Sequence, residues 1–153
     1  MPNPRKKAAT LTAASNPYGK FNFLLEIEGV TSAGFTDVSG IRSETEVVEY
    51  REGGDTRASA RKIPGLHKFG NLVLKRGFAA NMELWQWRQL VVDGAVNRKA
   101  GSIILLDAAR NEVLRWNFFE GWPCKWEGPA FNAKSSDVAI ETLEIAVENI
   151  QLG

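Results

Sequence analysis

Phe21, Phe23, Leu25 and Ile27 occupy every second position from Lys20 to Glu28, with Lys20, Asn22, Glu26 and Glu28 set apart from them. Only an extended chain puts such a set on one side, so the stretch predicts a strand with one buried and one wet face. Gly29 closes it. A second extended piece, Phe35–Ser39, stops at Gly40, and from Ile41 to Arg51 the alternation resumes with Glu44, Glu46, Val48 and Tyr50 on one side. The three segments are expected to be consecutive antiparallel strands joined by short glycine turns.

From Glu52 to Pro64 the chain reads EGGDTRASARKIP, with paired glycines, mixed charge and no apolar period. That composition predicts an exposed loop, and loops of this length in compact domains are commonly functional. Leu72 to Arg76 resumes a strand. The period then lengthens: from Asn81 to Val92, Leu84, Trp87, Leu90 and Val91 fall on one helical face, with Asn81 as the expected N-cap and Gly94 as the stop. Ser102 to Asp107 and Glu112 to Phe119 read as a hairpin about the turn at Ala108 to Asn111. Gly121, Pro123, Gly128 and Pro129 act as punctuation before a last strand from Asp137 to Ile150. Its apolar parity changes between Ile140 and Leu143, which predicts a bulge near Glu141 and Thr142. The expected fold is mainly β, an antiparallel barrel or sandwich of about seven strands with one flanking helix.

The 153 residues carry 19 Lys plus Arg against 18 Asp plus Glu, so whole-molecule charge makes no case for nucleic acid or a membrane surface. The longest unbroken apolar run, Ile103 to Leu106, is four residues, far short of the roughly 20 that span a bilayer. Arg5, Lys6 and Lys7 lie in a first segment without the apolar stretch of a secretory signal, and a flexible arm over residues 1–16 is expected.

One cysteine, Cys124, and one histidine, His67, leave no material for a disulfide, a multi-cysteine zinc site or a pair of imidazole ligands. A nucleophilic Cys124 needs a base and only His67 is on offer, so both are read as structural or solvent-facing. Glu26 with Glu28, and Glu44 with Glu46, each point two positions along to one strand face; paired carboxylates do acid and base chemistry, yet solvated strands produce such pairs routinely. The five tryptophans, at 85, 87, 116, 122 and 126, are expected in the core or a subunit seam. Phosphate-loop, dinucleotide, nucleophile-elbow and zincin motifs are all missing. The reading has no catalytic residue, no metal and no cofactor. The pairs Arg61 with Lys62, Lys75 with Arg76 and Arg98 with Lys99 are interrupted by acidic residues and read as solvated surface.

In order along the chain, NPYGKFNFLLEIEGV, GFTDVSGI, TEVVEYREGGD, KIPGLHKFGNLVLKRG, LWQW, RWNF, GWPCKWEGP and VAIETLEIAVENI closely resemble the T4-like phage tail tube protein family, from about Pro17 to Ile150. Within it the blocks are most similar to inner-tube subunits of contractile injection systems: phage tails, tailocins and extracellular toxin-delivering particles. The resemblance implies a single tail-tube domain over residues 17–153 that forms hexameric rings stacked into a hollow tube. A sheath would surround that tube, with baseplate and spike proteins at its tip and effector cargo or DNA in the lumen. It implies no enzymatic activity, no membrane insertion by this chain, and assembly in the bacterial cytoplasm without a signal peptide.

In relatives, the segment matching Glu44 to Lys62 reaches toward neighbouring subunits and rings. Glu52, Asp55, Arg57, Arg61 and Lys62 are therefore the expected inter-subunit residues, and Glu26, Glu28, Glu44 and Glu46 the candidates for a channel-facing surface. Two rival readings are a tube-initiating paralogue that joins tube to baseplate and, in a different class, a nucleic-acid-binding β domain. Short length without insertions favours the main tube, and near-neutral charge disfavours the nucleic-acid binder.

Overall fold

The computed structural model describes residues 22–31, 34–54, 56, 58–78, 81–134 and 136–153. The expected arm over residues 1–16 lies outside the described residues, as do Asp55 and Arg57. Nine strands are described: β1 (Phe23–Ile27), β2 (Phe35–Ser39), β3 (Ser43–Tyr50), β4 (Arg61–Phe69), β5 (Leu72–Gly77), β6 (Lys99–Leu106), β7 (Glu112–Glu127), β8 (Ile140–Ala146) and β9 (Asn149–Leu152). One helix, α1 (Glu83–Val92), lies between β5 and β6.

Seven strands form one antiparallel sheet in the order β1-β6-β7-β8-β5-β2, with β9 also on β7, while among the described residues β3 and β4 pair with each other alone. The 16-residue β7 joins two layers. Its first part pairs with β6 and β9, and its second part, from Trp122 on, pairs with β8. Leu25, Ile27, Ile103 and Phe118 from one layer meet Leu72, Leu74, Leu143 and Ile145 from the other in a single core, and Leu84 and Trp87 of α1 pack against them. The sheet is thus folded over on itself as a sandwich, the mainly β architecture with a flanking helix that the alternating pattern implies.

Several local expectations change. The first three strands do not pair in succession: β1 joins β6, β2 joins β5 and β3 joins β4. Alternation identifies a strand and its faces but carries no information about its partner. The loop is shorter than Glu52 to Pro64, because β4 already begins at Arg61, where Arg61, Lys62 and Ile63 pair with Tyr50, Glu49 and Val48. Gly121 and Pro123 do not end the hairpin strand; β7 bends at Glu120, whose φ is +54°, and continues. A proline is tolerated there because this half of β7 is an edge of its layer.

The last strand is two strands, and no bulge lies at Glu141 and Thr142. The β8 register with β5 runs unbroken from Gly77 opposite Ile140 to Leu72 opposite Ile145. Strict alternation instead carries Glu141 inward beside Leu143 and Ile145. The helix begins two residues after Asn81, whose side-chain oxygen still accepts the Glu83 N–H at 3.0 Å. Gly94, at φ +89°, ends it as expected: its N–H reaches Val91 O at 3.0 Å and the Ala95 N–H reaches Leu90 O at 2.8 Å.

Candidate functional site

The first surface is the outer face of the β1-β6-β7-β9 layer. Register places Leu25, Ile103, Trp116 and Leu152 in one row, and Glu26, Ser102, Asn117 and Gln151 in the next. Successive residues of a strand point to opposite faces, so the second row looks away from the core. Ser102 Oγ donates to Asn117 Oδ1 at 2.6 Å. Glu26, Glu28, Ser102, Asn117 and Phe119 line an open groove of about 420 Å³. Gly101 has no room for a side chain, since a Cβ would collide with Glu26 O and the Phe118 ring, and this lets β1 and β6 close over the core.

Charge on this face is compensated within the chain. Arg115 donates to Glu112 from Nε at 2.7 Å and from Nη2 at 3.2 Å, and its Nη1 lies 3.6 Å from Glu26. The hydrogen bond from Arg115 holds the Glu112 carboxyl below its ordinary pKa, and that same bond raises Arg115. The layer ends in two edges, β1 on one side and β9 on the other, neither paired with a further strand among the described residues.

The second surface is the β3-β4 ribbon. Every residue of β3 is exposed, as are most of β4. Val47, Val48, Tyr50, Ile63 and Leu66 all expose large apolar side chains. The ribbon continues the β2-β5 pair beyond a close crossing of two glycines. Gly40 has φ +92° and its Cβ would run into Asn71 O, while a Cβ on Gly70 would sit 2.7 Å from Gly40 O. The Gly70 N–H bonds Arg42 O at 2.8 Å, closing the base. The ribbon is therefore an outrigger attached to the body by its base, and we call it the arm.

These placements separate the sequence candidates. Glu26 lies in the polar row and Glu28 at the groove's rim, whereas Glu44 and Glu46 lie on the arm. Glu52 follows β3 and accepts the Tyr50 hydroxyl at 3.2 Å; Arg61 and Lys62 open β4. His67 is on the arm, its Nδ1 2.9 Å from Thr45 Oγ1. Cys124 is half-buried, donates to Glu144 O at 3.4 Å, and has its thiol pushed up chiefly by burial and further by the Glu144 carboxylate. Among the described residues, no three His, Cys, Asp or Glu side chains converge as metal ligands, and no helix is long and apolar enough to cross a membrane.

Sequence reasoning missed a buried polar cluster. Arg76 and Glu141 face each other in register at the end of the core. Trp126 Nε1 donates to Glu141 Oε2 at 3.1 Å, the Arg76 guanidinium lies 5.4 Å from the Phe35 ring centre, and Arg76 Nη1 approaches Glu83 at 3.7 Å. Glu83 in turn accepts the Thr31 N–H and hydroxyl, both at 2.9 Å. The available signal is Glu141 itself, a charged residue that strict alternation with Leu143 and Ile145 puts at an inward position of β8.

The family model described as T4-like virus tail tube protein gp19 matches residues 19–151. A chain from the cryo-EM structure of the PVC sheath-tube complex in its extended state, from an extracellular contractile injection system, superposes with a TM-score of 0.80 at 25% identity. That match covers 94% of this chain and 96% of the other. A chain from the PVC sheath/tube terminator in the extended state gives 0.79 at 25% identity, covering 91% and 98%. A chain from the six-fold symmetrised baseplate of the anti-feeding prophage shares the fold, with a TM-score of 0.77 at 24% identity, covering 91% and 97%. No curated protein matches the sequence.

Proposed function

The chain belongs to the T4-like virus tail tube protein family and is a tube subunit of a contractile injection system; from this we propose that its copies close into hexameric rings that stack into a hollow conduit inside a contractile sheath. The observation that carries the reading is the β1-β6-β7-β9 layer, whose outer face holds the polar row Glu26, Ser102, Asn117 and Gln151 and whose two edges are unpaired among the described residues. An unpaired strand edge is a template for another chain. Because the two open edges differ, a contact between β1 of one copy and β9 of the next is head-to-tail, and such contacts generate closed rings when the rotation closes.

On this reading the row Glu26, Ser102, Asn117 and Gln151 lines the channel, with Glu28 at its rim. Cargo, an effector protein or DNA, slides along a surface whose Arg115 is already held by Glu112 and Glu26, so little free positive charge grips it. Glu44, Glu46, Glu52, Arg61 and Lys62 belong to the arm segment that joins subunits, and the expectation for Asp55 and Arg57 falls outside the described residues. The role is structural, and the work of penetration comes from the sheath rather than from chemistry in this chain. Assembly precedes release of the particle and takes place in the bacterial cytoplasm, with baseplate proteins at one end.

Negative-stain microscopy of concentrated protein, alone and with sheath and baseplate partners, tests the reading. Rings of six or stacked tubes are expected. A chain that stays monomeric under all of these conditions overturns it.

A further inference from the structure

We infer that the groove on the outer face of the β1-β6-β7-β9 layer is a cargo subsite that takes an arginine or lysine side chain, so that the channel receives polypeptide rather than DNA. The inference rests on the tube reading and adds the chemistry by which the channel meets its cargo. The floor of the groove is β6, where Ala100 and Ser102 point outward with the Gly101 backbone between them. Register sets Glu26 beside Ser102 on one side and Asn117 beside it on the other, and the Glu28 N–H bonds Ala100 O at 3.3 Å. Neighbouring strands lie about 4.8 Å apart, so two short side chains on the middle strand leave a trough about 10 Å across between β1 and β7. Glu26 and Glu28 form one bank, and Asn117 and Phe119 the other.

The two banks are complementary to one kind of ligand. Among the described residues Glu28 makes no ion pair, and Glu26 meets only Arg115, at 3.6 Å. The first bank is therefore acidic. Opposite it the Phe119 ring is 37% exposed, and the face of an aromatic ring attracts a cation. A guanidinium or ammonium between carboxylate and ring is satisfied from both sides, and its aliphatic stem lies on Ala100. A phosphate finds the reverse: two carboxylates repel it, and Arg115 is already held by Glu112 and Glu26.

Each trough is open and its contacts are exposed, so a single cation binds weakly and leaves quickly. A closed ring repeats the trough in every copy, and a polypeptide with several basic side chains engages more than one at a time. Retention then grows with the number of basic residues on the cargo without any tight contact that would stop its movement. Because the carboxylates face water, the hold weakens as salt rises.

The test uses three fluorescent probes carrying a photo-crosslinker: a Gly-Ser peptide with several arginines, the same peptide with glutamates in their place, and a short duplex DNA. Each is titrated by anisotropy against the full chain, unassembled and as tubes, and the crosslinks are mapped by mass spectrometry. The arginine peptide should bind both forms, more tightly to tubes, and crosslink to the stretches holding Glu28, Ala100 to Ser102 and Phe119, while the other two probes stay free. Glu28→Gln and Phe119→Leu should each weaken it by about threefold or more with thermal unfolding unchanged, and Glu127→Gln, on the far half of β7, should not. An arginine peptide that fails to bind the unassembled chain, crosslinks to another surface, or binds Glu28→Gln as well as wild type overturns the subsite. Preference for the DNA probe overturns the choice of polypeptide. A chain that forms no rings or tubes refutes the tube reading instead, since every residue of the trough belongs to one copy and its binding is read separately.

Discussion

Arg76 donates to Glu141 Oε1 from Nε at 3.0 Å and from Nη2 at 2.9 Å, and the two side chains are only 6% and 1% exposed. They form a cross-strand pair facing inward where β5 and β8 end the core. With Trp126 on the second Glu141 oxygen and Asn81 O accepting from Arg76 Nη2 at 3.4 Å, the charges are bonded on several sides.

Removing one member of this pair leaves the other buried without its counter-charge. Glu141→Leu or Arg76→Met should cost about 3–5 kcal/mol, whereas the two replacements combined should cost clearly less than the sum. Urea unfolding of the four chains measures this. Additive losses would show that the two side chains act independently.

Glu83 couples the helix start to the β1-β2 connection. Its carboxyl is held below the ordinary glutamate value, first by the Thr31 N–H and then by the Thr31 hydroxyl, Asn81 and Arg76, against burial. A carboxyl with a lower pKa folded than unfolded stabilises the fold in its ionised form. That contribution is complete above the unfolded value of about 4.3 and fades as pH falls through the folded value. Glu83→Gln should therefore flatten the decline in stability below about pH 5. An unchanged slope in acid unfolding curves would rule this coupling out.

Gly40 is held at φ +92° against Asn71 O, so Gly40→Ala should lose at least the about 1–3 kcal/mol of a strained backbone residue. Gly53, where an added Cβ meets nothing within 4 Å, serves as the control, and Gly53→Ala should change stability little. Chemical denaturation compares them. Equal effects would mean that the crossing at the arm's base is not tightly set.

Glu26 is more than half exposed, and its 3.6 Å ion pair with Arg115 is a water-screened surface contact that contributes little to stability. Glu26→Lys with Glu28→Lys should keep the fold and the tubes but alter cargo loading and its dependence on salt. Loss of folding would mean that these carboxylates support the structure; unaltered loading would move them off the channel wall.

The alternation of Phe23, Leu25 and Ile27, the helical spacing of Leu84 and Trp87, and the glycine stop at Gly94 are local signals, and local geometry alone made them legible. So were Glu26 as an outward residue and the motif blocks of the tail tube family. The residues of β3 were legible as a strand, but their two apolar faces looked like ordinary alternation because a sequence does not say whether a body lies against the strand.

The amino-acid order by itself determined which segments are extended, which one coils, which faces of the body strands are apolar, and to which family the chain belongs. It did so because period and turn chemistry are properties of neighbouring residues. Tertiary structure alone decided that β1 pairs with β6 rather than β2, that β7 runs on through Pro123 as an edge, and that Glu141 faces inward. Pairing is a contest among distant edges, and a buried carboxylate is acceptable only where another strand delivers an arginine to meet it; Arg76 stands 65 residues away in the chain.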